Sequence, residues 1–160
     1  MSSAAAETPV PAPTQYPATV NELPEETLDF AARMFDLARN GATEDLSAYI
    51  DAGLPSNLTN HAGDTLLMLA AYHGHAETVS ALVMRGADPN TLNAKGQSPL
   101  AGAVFKGEEE VVKVLVRSGA DANTGTPSAM QAATLFNKPH YVAMFNSAGS
   151  QTTAATKSVT

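Results

Sequence analysis

The chain has 160 residues, no cysteine and a formal net charge of −7, which bounds it to one compact domain with tails. Without cysteine there is no disulfide framework, thiol nucleophile or cysteine zinc site, and the acidic balance disfavours nucleic-acid binding, which needs a basic surface. The charge is uneven: residues 1–57 hold nine acids and two arginines, or −7, while residues 58–160 hold seven of each sign, or zero.

Residues 1–23 are rich in Ala, Pro, Thr and Ser with few large apolar groups, and read as a disordered tail. They lack the basic start and unbroken apolar core of a secretory signal. Leu28–Ala38 then reads as an amphipathic helix with Leu28, Ala31, Ala32 and Phe35 on one stripe. Acids gather here and just beyond: Glu22, Glu25, Glu26, Asp29, Asp36, Glu44, Asp45 and Asp51. The simplest reading is a solvated helix face, although an acidic face also attracts a basic partner.

From residue 58 the chain repeats itself. Residues 58–90 and 91–123 align at an offset of 33, with thirteen identical columns that include Asn60/Asn93, Gly63/Gly96, Leu67/Leu100, Gly74/Gly107 and Asn90/Asn123. A fixed period of this size predicts a stacked solenoid, in which each unit buries its apolar face only against its neighbours. Thr65 and Ser98 stand where a hydroxyl can cap a helix, and Pro99 occupies a first helical position that needs no N–H. The short first helices are Leu66–Ala71 and Pro99–Val104, ended by Gly74 and Gly107. The second helices carry Val79, Leu82 and Val83, then Val112, Leu115 and Val116, at spacings of 3 and 4. Gly86-Ala87-Asp88 and Gly119-Ala120-Asp121 turn the chain into a projecting loop.

The flanks are degenerate, as terminal caps should be. Shifting back by 33 puts Gly41 under Gly74 and Asn57 under Asn90. Forward, Ala132-Ala133 and Val142 fall at roughly matching spots, the loop is a few residues short, Phe136 stands where the helix-ending glycine would be, and Gly149 closes the unit. Four units are expected, at about 24–57, 58–90, 91–123 and 124–149, followed by a flexible tail over 150–160.

The stretches "GDTLLMLAAYHGHAETVSALVMRGADPN" and "GQSPLAGAVFKGEEEVVKVLVRSGADAN" resemble the ankyrin repeat, and "GTPSA" extends a similarity to short, free-standing ankyrin proteins of fungi and bacteria. The resemblance implies an all-α ankyrin-repeat solenoid that binds another protein and performs no catalysis. One departure stands out. The family's Thr-Pro-Leu-His reads Thr65-Leu66-Leu67-Met68 and Ser98-Pro99-Leu100-Ala101 here. The histidine that joins neighbouring loops in the family is therefore missing, and looser loops are expected.

Carried over position by position, the resemblance implies partner contacts at Arg39 and Asn40; at His61, Ala62, Asp64, Tyr72 and His73; and at Ala94, Lys95, Gln97, Phe105 and Lys106. Tyr72 and Phe105 share a column, so they are expected side by side on the concave face, either as binding aromatics or half-buried against their helices. No metal site is expected, because His61, His73 and His75 have no carboxylate or thiol at ligand spacing. Glu108-Glu109-Glu110 opens a helix, where the helix dipole favours acids. No cofactor is implied. A monomer in the cytoplasm, small enough to enter a nucleus, is expected, with no apolar run near the roughly 18–20 residues of a membrane span. The alternative is an acidic escort for a basic client such as a ribosomal protein, carried by the acidic first cap.

Overall fold

The computed structural model describes residues 25–157, without the side chains of residues 26 and 150–157. The expected disordered tail at 1–23 lies outside the described residues. Eight helices follow in pairs: α1 (Glu25–Asn40) with α2 (Thr43–Asp51), α3 (Leu66–Tyr72) with α4 (Ala76–Met84), α5 (Pro99–Lys106) with α6 (Glu109–Arg117), and α7 (Ala129–Leu135) with α8 (Pro139–Lys157). The first helices stack as a layer, α1 on α3 on α5 on α7, and behind them α2 packs on α4 and α4 on α6. Among the described residues the only β-type pairing is two isolated bridges, Thr59 with Thr65 and Gly125 with Ser128.

The helix starts follow from hydroxyl chemistry. Thr65 Oγ1 accepts from the N–H of Met68 at 3.0 Å, and Ser98 Oγ from that of Ala101 at 3.1 Å. In the last unit Ser128 Oγ accepts from Gln131 N–H while the Gln131 side chain accepts from Ser128 N–H, a reciprocal cap. All three hydroxyl residues are buried, so these bonds satisfy groups that water does not reach. Gly74 and Gly107 hold positive φ at 81° and 71°, as the sequence predicts.

Small and apolar side chains fill the space between the layers. Ala70 and Ala103 are fully buried, as are Leu66 and Leu67, while Leu100, Val79, Val112, Leu82 and Leu115 are at most 1% exposed. Small residues let one unit approach the next; the leucines and valines then lose most of their exposed area, which is the main stabilising term.

Three expectations need correction. In α1 the buried stripe is Ala31, Met34, Phe35 and Ala38, whereas Ala32 faces outward and Leu28 is 37% exposed. Alanine fits either face of a helix, and the packing of α3 against α1 selects Met34. In the last unit Phe136 caps α7 at φ −90° but does not take the left-handed place of the glycine: Asn137 does, at φ 54°, which asparagine tolerates. With Ser128 under Ser98 and Asn137 under Gly107, this unit stands 30 residues after the third rather than the 29 that Phe136 under Gly107 implies, and the shortened loop before it lacks three residues. Finally, α8 runs on through Gly149 to Lys157, covering most of the expected 150–160 tail. Gly149 lacks the positive φ of a helix-ending glycine, and one helical glycine weakens a helix without stopping it.

The loops are bonded to one another even without the family histidine. Asn93 Nδ2 donates to Asp64 Oδ1 at 2.9 Å, Ala94 N–H donates to Ala62 O at 2.9 Å, and Thr126 N–H donates to Gly96 O at 2.9 Å. The looser loops expected from the missing histidine thus meet substitute ties. At the opposite turns Asn57 Oδ1 accepts from Asp88 N–H, and Asn90 Oδ1 from Asp121 N–H, at 2.9 and 2.8 Å.

Candidate partner-binding groove

Tyr72 and Leu135, the last residues of α3 and α7, form one column with Phe105, the last but one of α5; they are 40%, 74% and 60% exposed. Tyr72 is thus partly covered, whereas Phe105 and Leu135 present most of their surface to solvent. The neighbouring column is His73, Lys106 and Phe136. Phe105 and Phe136 meet edge-to-face, ring centroids 5.4 Å apart, and the Lys106 ammonium stands 5.1 Å from the Tyr72 ring centre, within cation–π range.

Opposite these helix ends stand the loops that lead into α3 and α5. Together they enclose a groove of about 720 Å³, whose wall on the loop side includes Asp64, Lys95 and Gln97 and whose helix side includes Tyr72, Phe105 and Phe136. The floor between them includes Leu69, Gly102 and Ala132. An apolar floor with a few polar groups on the walls is the usual make-up of a binding cleft.

Of the residues expected from sequence, the groove gathers Ala62, Asp64, Tyr72, His73, Ala94, Lys95, Gln97 and Phe105 in its lining, with Lys106 beside Tyr72. His61 is exposed on the loop outside that lining. Arg39 is engaged with Asp36 at 2.8 Å. Asn40 borders a different concavity, of about 820 Å³, with Phe30, Tyr49, Asp36 and Asp45 on the first unit. Leu135 and Phe136 were not among the expected residues. The reciprocal cap at Ser128 is the sequence signal that places them, because it sets the last register.

Electrostatics differ along the groove. Asp64 is held by Asn93, but among the described residues neither Lys95 nor Lys106 has a carboxylate at ion-pair distance. Partial burial, then the nearby His75, Arg39 and Lys106, hold His73 below the ordinary imidazole pKa. His75 itself serves the fold. Its Nε2 donates to the carbonyl of Arg39 at 2.7 Å, which fixes the proton on that nitrogen, and its ring lies against Gly41. Among the described residues no three of His, Asp and Glu gather to hold a metal ion.

Gly102 lies inside α5, and a Cβ there would meet nothing closer than Tyr72 Cδ2 at 3.7 Å, an ordinary contact. Gly102→Ala is therefore expected to raise stability by about 0.5–1 kcal/mol, read from urea unfolding. A loss instead would mean that Tyr72 has no room to accommodate even a methyl group.

Comparison with known proteins gives one consistent picture. A family model for ankyrin repeats, in three copies, matches residues 34–126. An ankyrin repeat protein of Pseudomonas aeruginosa is 55% identical over 53 residues, which are 33% of this chain and 31% of that one. The crystal structure of the human ASB11 ankyrin repeat domain superposes with a TM-score of 0.53 at 30% identity, covering 56% of this chain and 40% of that one. The chain thus spans less than half the length of each of these two proteins.

Proposed function

Because this chain belongs to the ankyrin-repeat family, whose repeats are protein–protein interaction modules, we propose that it grips a segment of another protein in the groove between its loops and first helices. The observation that carries this is the exposed column Tyr72, Phe105 and Leu135 beside a 720 Å³ cleft. Aromatic side chains give large contact area with few torsions to freeze, and they dominate binding energy when a partner shields them from water. Recognition is by a preformed surface with no covalent step, so ordering the partner is the main entropic opposition. We further place the protein as a monomer in the cytoplasm, with the nucleus as a second location. Among the described residues no helix is long and apolar enough to cross a membrane.

Affinity capture with wild type and with the double variant Tyr72→Ala, Phe105→Ala tests the assignment. Loss of about tenfold or more per aromatic is expected, for partners that stay bound to wild type in high salt. Partners kept by the double variant but released by salt would move the function to the first unit. That is the second reading, an escort for a basic client, favoured by the net −7 of residues 1–57 and by Asp45 beside Phe30 and Tyr49 in the other concavity. Its contacts would be charge-dominated and screened by salt.

A further inference from the structure

We infer that the occupant of the groove is an acidic, apolar peptide segment: two apolar side chains on the Tyr72–Phe105–Phe136 strip, with a carboxylate beside them. This rests on the groove reading above and adds the chemistry of the partner. Lys95 lines the groove, and the Lys106 ammonium stands over the Tyr72 ring beside that lining, so two cations border the apolar strip. Neither cation has a carboxylate partner among the described residues. The one acid in the lining, Asp64, is already engaged by Asn93 Nδ2 at 2.9 Å. Gln97 gives its Oε1 to Asn93 at 2.8 Å, which leaves its amide NH₂ to donate outward. Two ammonium groups and the Gln97 amide thus outnumber the one carboxylate, Asp64, which keeps its charge, and the balance calls for acceptors and negative charge on the ligand.

The distribution of charge over the chain also orients the ligand. The whole formal −7 falls on residues 1–57, whereas residues 58–160 sum to zero. An acidic segment is repelled by the first unit and drawn to Lys95 and Lys106 in the third, so its carboxylate belongs over the third and fourth units. A basic segment would meet two like charges at the groove walls, an arrangement that rejects it.

The test uses a displayed random-peptide library selected on the full chain, followed by titration of one enriched peptide, synthesised with a fluorophore. The expected peptides carry Asp or Glu near two large apolar residues and avoid Lys and Arg. The double variant Lys95→Glu, Lys106→Glu should weaken binding tenfold or more, with Lys95→Gln, Lys106→Gln in between, and a thermal melt should confirm that these exposed changes leave the fold intact. Enrichment of basic peptides, the absence of any binder, or an affinity within twofold after charge reversal would overturn the inference. Phe105→Ala separates the two levels. If it abolishes binding while charge reversal does not, the groove stands and the acidic partner falls; if it has no effect, the groove assignment itself fails.

Discussion

Replacing Leu100 with alanine is expected to destabilise the protein by about 2–5 kcal/mol and to lower the melting temperature by roughly 4 °C for each kcal/mol. Leu100 is 1% exposed in α5, the helix that packs on both α3 and α7. Removing its side chain atoms forfeits their burial and leaves a cavity between units that cannot slide together without disturbing both neighbours. The loss should spread, because a solenoid unit is stable only through contact with adjacent units. Severing the stack at the third unit strands the fourth. Met84, 81% exposed on α4, gives the control: Met84→Ala should stay within about 0.5 kcal/mol of wild type. Thermal or urea unfolding of both variants decides the matter, and a Leu100→Ala loss below that of an exposed site would refute the stacked core.

Asn93→Asp is expected to destabilise the loops by about 1–3 kcal/mol, although it changes a single atom type. The Asn93 carbonyl oxygen accepts from the N–H groups of Lys95 and Gln97, both at 3.0 Å, and an aspartate oxygen could do the same. The amide nitrogen cannot be replaced in that way. It donates to Asp64 Oδ1 at 2.9 Å and to Gln97 Oε1 at 2.8 Å, and in the variant a carboxylate would face a carboxylate. Like charges so close oppose folding when both are ionised. Protonating one of the two restores a donor, so the deficit against wild type should shrink as the pH is lowered. Urea unfolding of both proteins over a range of acidic to neutral pH measures it. A deficit independent of pH would show that the Asn93–Asp64 bond does not tie the second and third loops.

Much of this was legible in the residues. The offset of 33 predicts the stack, Thr65 and Ser98 predict helix starts, and Tyr72 with Phe105 predicts a shared column. Each of these depends on chemistry within a unit or on identity between neighbouring units. Asn60 and Asn93 were visible only as an identical pair; that Asn93 bonds back to the preceding loop, 29 residues away at Asp64, depends on how closely two loops approach. Leu135 and Phe136 were hidden because a loop three residues shorter breaks the columns that would have matched them to Phe105 and Lys106.

By itself the sequence determined the architecture, since a repeated unit that cannot bury its own apolar face must stack, and the recurring glycines, alanines and valines state that requirement twice. Tertiary structure decided which apolar groups stay out of the core. Ala32 and Met34 in α1 are both compatible with helix periodicity, and only the arrival of α3 buries one and exposes the other. Likewise Tyr72 lies over Gly102 of the next unit, and Phe105 against Phe136 of the one after. The groove exists because residues some thirty positions apart come side by side, and the space between them is a property of the stack rather than of any single unit.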